Sequence, residues 1–190
     1  MKAVLISGSP RKNSNTETLA AQCASRLEKD SIETEVIALR GKKLKGCKAC
    51  GTCRKTKDLT YAIKNDDFHD IFKKMQDADI IVVGSPVYFG SATPEIMALL
   101  DRAGYVSRGN GNIFSRKIGG AIAVARRAGH NFTFGQLLYW FLINDMIVPG
   151  SSYWNVAIAG GAGDVKNDEE GVKTIERFAE NLAWLAKKLS

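Results

Sequence analysis

Residues 3–20 read AVLISGSPRKNSNTETLA, a short aliphatic run followed by a polar stretch and then by apolar residues at wider spacing. The run AVLIS is short and almost wholly aliphatic, and it ends at once in Gly-Ser-Pro, which is typical of a buried strand. Ser14, followed three residues later by Glu17, is a capping-box pattern. We therefore predict a strand over 3–7 that leads through a glycine-containing loop into a helix over 15–27.

The same succession of aliphatic run and amphipathic segment recurs along the chain. The clearest run is IIVVG at 80–84, and uninterrupted runs of this kind suit strands that are covered on both faces of a parallel sheet. Further strands are predicted over 33–39, over 118–124 and over either 146–148 or 155–159, and further helices over 67–77, from 93–94 onward, over 133–144 and over 168–189. Because strands and helices alternate without a linker, we predict one α/β domain over 1–190 with helices on both faces of a parallel sheet.

Composition excludes several classes of protein. The 190 residues are 45% hydrophobic and 25% charged, which is ordinary for a globular domain and excludes disorder, collagen and coiled coil as overall descriptions. No apolar run approaches the roughly 20 residues of a membrane span, and the first aliphatic stretch is too short for a signal peptide. We therefore expect a cytoplasmic protein without membrane contact, with its four cysteines reduced.

The excess positive charge lies in one segment. The net charge is +7, and residues 40–57 hold eight Lys and Arg residues and no acid, whereas the rest of the chain has 19 basic and 20 acidic residues. The same segment carries three of the four cysteines. It is interpreted as a solvated loop, an anion-binding loop, or a loop whose cations offset thiolates or a metal centre.

Three loops are predicted to meet at one edge of the sheet, because ligands of such sheets bind outside the carboxyl ends of the strands. They cover 8–15, 86–93 and 125–133. The first, GSPRKNSNT, precedes a helix and offers hydroxyl, amide and Arg11 donors, which suit a terminal phosphate monoester. It lacks both the Walker ending and GxGxxG. The alternative is a capped helix start that binds no ligand.

The second and third loops carry aromatic and cationic side chains. Tyr88 and Phe89 follow a strand where a polar turn is usual, and their faces suit a flat heteroaromatic ring; the alternative is packing against a neighbouring helix or subunit. In the third loop, Arg126 and Arg127 can hold an anionic ring edge or the phosphates of a nicotinamide cofactor. His130 is interpreted as a surface or packing residue.

Taken together, these motifs resemble the flavodoxin-like NAD(P)H-dependent FMN reductase family, and especially its iron–sulfur flavoprotein branch. The resemblance covers nearly the whole chain and rests on GSPRKNSNT, CKACGTC with the NDD that follows, GSPVYFGSATPEIMALLDR and VARRAGHNFTFGQL. It implies a three-layer flavodoxin-like fold with a five-stranded parallel sheet of order 2-1-3-4-5. It also implies tightly but non-covalently bound FMN, NAD(P)H as co-substrate, and a homodimer or homotetramer with FMN near the subunit boundary.

The same resemblance implies which residues contact FMN. The phosphate would be held by Ser9, Arg11, Ser14, Asn15 and Thr16. The isoalloxazine would lie along Pro86, Val87, Tyr88, Phe89 and Gly90, and it would be approached from the other side by Ala125, Arg126, Arg127 and Gly129.

Three cysteines follow the spacing C-x2-C-x2-C: Cys47, Cys50 and Cys53. This spacing lets consecutive thiolates face one iron–sulfur cluster. In the iron–sulfur flavoproteins a fourth cysteine follows within several residues, whereas residues 54–67 contain none. Cys23 is predicted on the buried face of the first helix, and the spacing of His69 fits no common metal site. The sequence therefore favours reactive thiols, or the remnant of a cluster site, over a bound cluster.

The leading functional hypothesis is an FMN-dependent oxidoreductase that passes electrons from NAD(P)H to a quinone, a free flavin, a small electrophile or a protein. The flavin carries the chemistry in such an enzyme, so no catalytic side chain is required. The alternative is a non-enzymatic electron carrier that docks through 40–57 to an acidic partner such as a ferredoxin. Nucleic-acid binding is not expected, since the basic segment has few aromatics and matches no known module.

Overall fold

The computed structural model describes residues 1–189 and is built on a parallel sheet of five strands in the order β2-β1-β3-β4-β5. The strands are β1 (Lys2–Ser7), β2 (Glu33–Ala38), β3 (Ile80–Pro86), β4 (Ile118–Ala125) and β5 (Val156–Ile158). Each neighbouring pair is parallel and in continuous register. The predicted α/β class and the strand order 2-1-3-4-5 are both confirmed.

Helices cover both faces of this sheet. They are α1 (Asn15–Glu28), α2 (Thr52–Thr56), α3 (Phe68–Asp77), α4 (Pro94–Gly109), α5 (His130–Ile143) and α6 (Glu169–Leu189), with a short 3-10 turn over Asp164–Asn167. Buried residues of α1 and α6 form the core on one face, and those of α3, α4 and α5 form the core on the other. This arrangement is the three-layer sandwich that the alternating pattern predicts.

Strand β4, which lies between β3 and β5, shows how closely the helices approach the sheet. All eight of its residues are buried. A Cβ atom added to Gly119 would lie 2.4 Å from the ring of Phe141, and one added to Gly120 would lie 2.3 Å from the ring of Phe178. The two glycines therefore let one phenylalanine from each helical layer pack directly on the strand backbone.

The structure decides between the two candidates for the fifth strand. The segment 155–159 contains β5, whereas Ile147 of the other candidate makes only an isolated bridge with Ile118. Helix α5 begins at His130, three residues before the predicted start at 133. The short helix α2 inside the basic segment was not predicted, because five residues are too few to show a helical period.

Helix α5 is apolar on nearly all sides, and much of that surface is uncovered. Its inner face packs on the sheet through residues such as Leu137 and Phe141, which are fully buried. Its outer face leaves Tyr139 73% exposed, and Leu142 and Ile143 60% exposed. Among residues 1–189, no helix is both long enough and apolar enough to cross a membrane.

Candidate functional site

A pocket of about 260 Å³ opens at the carboxyl edge of the sheet, where the loops after β1, β3, β4 and β5 meet. Ten of the fourteen residues that the sequence predicts to contact FMN line it: Ser9, Arg11, Ser14, Asn15, Thr16, Pro86, Val87, Tyr88, Phe89 and Arg126. Four further lining residues were not predicted: Val124, Ala159, Gly160 and Ala162.

One end of the pocket is polar and lies against the start of α1. Ser9, Ser14 and Thr16 are all buried there. The Ser14 hydroxyl oxygen accepts a hydrogen bond of 3.1 Å from the backbone N–H of Glu17, which confirms the predicted N-cap. A hydroxyl that accepts in this way keeps its own hydrogen free to donate. Together with the helix dipole, this end of the pocket favours an anion that offers several oxygens.

Asn15 connects this polar end to the loop after β5. Its side-chain amide donates to the carbonyl oxygen of Gly161 at 2.7 Å, and its amide oxygen accepts from the backbone N–H of Val165 at 3.2 Å. The sequence predicts Asn15 as a phosphate contact, but the structure engages both ends of its amide within the protein. Asn15 therefore fixes the fourth wall of the pocket in place.

The fourth wall is the loop after β5, which lines the pocket with the small residues Ala159, Gly160 and Ala162. The sequence did not predict it. Gly160 accepts a long hydrogen bond of 3.5 Å from the Arg11 guanidinium. A Cβ atom on Gly160 would lie 3.4 Å from Cγ of Arg126, so the arginine stem packs over the glycine. The one available signal was the run GGAG at 160–163, which directly follows a strand at the same edge of the sheet.

The loops after β1 and β3 are joined by hydrogen bonds. The Thr93 hydroxyl donates to the carbonyl oxygen of Gly8 at 2.7 Å, and the backbone N–H of Thr93 donates to the Ser85 hydroxyl at 3.0 Å. The backbone N–H of Gly8 in turn donates to the carbonyl oxygen of Gly84 at 2.8 Å. A Cβ atom on Gly8 would lie only 2.8 Å from the Thr93 hydroxyl. The glycine is therefore required for this contact.

The loop after β3 forms the apolar end of the pocket. Tyr88 and Ser91 exchange two backbone hydrogen bonds of 2.9 and 3.0 Å, which close a tight turn. Phe89 at its tip has φ of +50° and a fully exposed side chain (107%). This exposure leaves Phe89 without packing against a helix of its own chain, which was one of the two alternatives to ring binding; packing against a second subunit stays the other.

Four predicted residues lie outside the pocket lining: Gly90, Ala125, Arg127 and Gly129. Gly129 has φ of +89°, and a Cβ atom there would lie 3.0 Å from Val87 and 3.4 Å from Gly90. The loop after β4 thus supports the aromatic loop from behind. Ala125 is a buried strand residue, and the Arg127 side chain is exposed.

The three clustered cysteines lie beside a second, smaller cavity of about 40 Å³. Cys47 and Cys50 are exposed, whereas Cys53 is buried and its thiol faces the carbonyl oxygen of Tyr105 at 3.6 Å. A hydrogen bond with the Thr52 hydroxyl lowers the pKa of the Cys50 thiol below its ordinary value. On α1, burial raises the pKa of the Cys23 thiol to about 12, in agreement with its predicted buried position.

A buried ion pair anchors the cysteine-containing segment, residues 45–63, to α4. The Arg102 guanidinium bonds to the Asp66 carboxylate, and the two side chains are 4% and 1% exposed. Arg102 also donates to the carbonyl oxygens of Lys45 at 3.2 Å and Ile63 at 3.0 Å. Its guanidinium carbon lies 3.9 Å from the centroid of the Phe68 ring. One arginine therefore holds both ends of the segment.

A family model described as NADPH-dependent FMN reductase matches residues 1–161. The chain belongs to the NADPH-dependent FMN reductase family. Its flavodoxin-like fold, its class as an oxidoreductase, its cofactor FMN and its reductant NADPH follow from that membership.

Relatives of this FMN reductase confirm the predicted branch. The chain is 36% identical over 194 residues to an iron–sulfur flavoprotein of Methanocaldococcus jannaschii, covering 98% of each chain. It is 32% identical over 190 residues to one of Methanosarcina thermophila, covering 96% of this chain and 93% of that one. Among solved structures, RosB with a bound riboflavin-phosphate intermediate has a TM-score of 0.78 at 21% identity, covering 100% of this chain and 80% of RosB.

The residues of this FMN reductase fit FMN but not a cluster. The pocket joins buried hydroxyls and Arg11 at one end to an open apolar wall at the other, as a phosphate and a flat ring require. By contrast, no group of three or more Cys, His, Asp or Glu side chains within residues 1–189 is placed to hold a metal ion. The buried Cys53 thiol faces a carbonyl, and residues 54–67 supply no fourth cysteine.

Proposed function

We propose that this protein binds FMN in the pocket at the carboxyl edge, accepts electrons from NADPH there, and delivers them to a quinone, a free flavin or a redox protein. The observation that carries this proposal is the row of buried hydroxyls at the start of α1, opposite an open aromatic loop. Bound FMN supplies the hydride and electron chemistry. The protein supplies phosphate binding, orientation and charge.

Different pocket residues would hold the phosphate and the ring of FMN. We propose that Ser9, Ser14, Thr16 and Arg11 hold the phosphate, because they join hydroxyl donors, positive charge and a helix N-terminus. Val87, Tyr88 and Phe89 would position the ring. The exposed Phe89 leaves the outer side of the ring site open to solvent, which suits exchange of NADPH with a flat acceptor.

The direct test is purification followed by anaerobic reduction. We expect yellow protein, one FMN per chain, and rapid bleaching on mixing with NADPH in a stopped-flow instrument. Subsequent mixing with a quinone should restore the colour at a rate that rises with quinone concentration. A folded, colourless protein that fails to bind added FMN at high micromolar concentration would overturn the proposal.

Replacing Arg126 tests the proposed charge at the pocket. Arg126 lines the pocket with its stem over Gly160, and its cation would stabilise the negative charge that reduction adds to the cofactor. Arg126→Ala should therefore make bound FMN harder to reduce, seen as a lower midpoint potential in a dye-coupled titration. The neighbouring Arg127→Ala is the matched control, because Arg127 lies outside the lining. Equal potentials in Arg126→Ala and the unmodified protein would contradict this role.

A second function is favoured by the basic segment 40–57. Its eight Lys and Arg residues are all exposed, as are Cys47 and Cys50. The segment therefore suits docking of an acidic electron-transfer protein such as a ferredoxin. Slow hydride transfer from NADPH combined with fast, salt-sensitive electron exchange with ferredoxin would favour this carrier role. Fast NADPH oxidation with a quinone and slow exchange with ferredoxin would favour the reductase.

We further propose that the 190 residues act as one FMN-binding domain that assembles into a homodimer or homotetramer. The uncovered outer face of α5, with Tyr139, Leu142 and Ile143, is the apolar surface that a second copy would cover. Sedimentation equilibrium at micromolar concentration should give a mass of two or four chains. A cytoplasmic location and the absence of nucleic-acid partners stay predictions.

A further inference from the structure

Each of the two exposed cysteine sulfurs lies within hydrogen-bond distance of a donor group. The backbone N–H of Ala49 donates to the sulfur of Cys47 at 3.4 Å. The sulfur of Cys50 lies 3.3 Å from the Thr52 hydroxyl, which can donate to it. Hydrogen bonds to sulfur stabilise the thiolate, which is the nucleophilic form. Cys47 and Cys50 are both accessible, and the hydrogen bond with Thr52 favours Cys50 as the attacking thiolate, whereas Cys53 is buried against a carbonyl.

The backbone around these cysteines is irregular. Ala49 has φ of +51° and Gly51 has φ of +73°, so both lie in the left-handed region. No helix or strand includes residues 39–51, so the loop is free of ladder hydrogen bonds that would resist closing a bond between two sulfurs. A spacing of two residues is common for a dithiol that forms an internal disulfide.

The residues next to the two cysteines in the sequence are positively charged. Lys48 lies between the two cysteines, and Arg54 and Lys55 follow them on α2. All three side chains belong to the segment that carries no acid from 40 to 57. An anionic reagent is therefore attracted to this loop and a cationic one is repelled.

We propose that Cys47 and Cys50 form a dithiol site that reduces anionic disulfides of low molecular weight. The Cys50 thiolate attacks one sulfur of the disulfide RSSR, which forms a Cys50–SR bond and releases RS⁻. The Cys47 thiolate then attacks the Cys50 sulfur, which closes the Cys47–Cys50 disulfide and releases the second RS⁻. The dithiol loses two electrons and two protons, and the disulfide becomes two thiols.

This site is separate from the FMN pocket. Helix α4 begins at Pro94, beside the pocket loops, and reaches the buried Cys53 at Tyr105. Eleven residues of helix span ~16 Å. The exchange therefore needs no FMN, and its reductant is an external thiol that returns the Cys47–Cys50 disulfide to the dithiol. Failure of FMN binding would leave this proposal unaffected.

The test uses the full chain, purified anaerobically with its FMN, and 5,5′-dithiobis(2-nitrobenzoate) as the anionic disulfide. We expect fast release of two equivalents of thiolate, an intact mass lighter by two hydrogens, and a Cys47–Cys50 cross-link in the peptide map. Cys47→Ser should release one equivalent and retain the adduct on Cys50. Cys53→Ala is the matched control and should behave like the unmodified protein.

Two further arms separate the proposed site from ordinary exposed thiols. Thr52→Val should slow the first release about three- to tenfold, and Thr52→Ser should restore it. Relative to free cysteine, the anionic reagent should react faster than the cationic disulfide cystamine, and added salt should reduce that preference. A stable adduct on both cysteines, no preference for the anionic reagent, or iron and sulfide bound at these cysteines would overturn the proposal.

Discussion

Ser14→Asp is expected to weaken FMN binding at least about 100-fold while leaving the protein as stable as before. Ser14 caps α1 through the backbone N–H of Glu17, and aspartate is an equally good N-cap, so the helix start is preserved. The new carboxylate, however, would face the phosphate. Two like charges about 4 Å apart repel by about 4 kcal/mol at an effective dielectric constant of 20, and each 1.4 kcal/mol is tenfold in affinity. Flavin fluorescence quenching measures the dissociation constant.

The controls for this prediction use the same position and a truncated ligand. Ser14→Asn offers a neutral cap and should bind FMN within about tenfold of the unmodified protein. Riboflavin lacks the phosphate, so its weak binding should be the same in all three proteins. If Ser14→Asp binds FMN as tightly as the unmodified chain, the phosphate does not lie at the start of α1.

Arg102→Ala is expected to destabilise the protein by about 3–5 kcal/mol, because removing one partner of a buried ion pair leaves an uncompensated charge. Here that charge is the Asp66 carboxylate, which is 1% exposed. The same substitution frees the carbonyl oxygens of Lys45 and Ile63, so both ends of the cysteine-containing segment lose their attachment to α4. Denaturant unfolding measures the free-energy change, and faster proteolysis within 45–63 should accompany it.

A double substitution separates the charge from the packing. Arg102→Met combined with Asp66→Leu removes both charges and keeps most of the volume, so it should recover a large part of the lost stability. If Arg102→Ala unfolds at the same denaturant concentration as the unmodified protein, the pair contributes nothing to the fold.

The same pair makes stability depend on pH. Burial pushes the pKa of Asp66 upward, but the hydrogen bond from Arg102, the backbone N–H of Lys45 and the charge of Arg102 outweigh it, so the pKa lies below its ordinary value. A lowered folded-state pKa gives stability that is present above the unfolded value of about 3.9 and is lost as pH falls through the folded value. The stability difference between the unmodified protein and Asp66→Asn should therefore narrow below about pH 4.

Much of the fold could be predicted because this sheet is buried on both faces. Strands such as 80–84 then appear as aliphatic runs that end in glycine, and the helices between them show a clear period. The fifth strand could not be chosen, because 146–148 and 155–159 are both short and both follow an apolar helix. The difference lies in which segment pairs with β4, and pairing is a tertiary property.

The site was predictable where side chains carry the chemistry, and missed where the backbone does. Ser9, Ser14 and Thr16 could be placed because hydroxyls between a strand and a helix indicate an anion site. Ala159, Gly160 and Ala162 offer only backbone and small surfaces, so their one signal was a glycine-rich run after a strand. The Arg102–Asp66 pair joins residues 36 apart, and only its packing shows that an arginine in an apolar helix has a partner.

The two hydrogen bonds of Asn15 have a consequence for biosynthesis. They join the first βα unit to Gly161 and Val165, about 150 positions later in the chain. While the ribosome is still making the middle of the protein, the hydroxyls near the N-terminus have already emerged, but the wall that encloses them has not. With FMN bound in this pocket, as proposed, we expect cofactor loading to wait until the loop after β5 has been made, and we expect a prematurely terminated chain that ends before β5 to lack FMN.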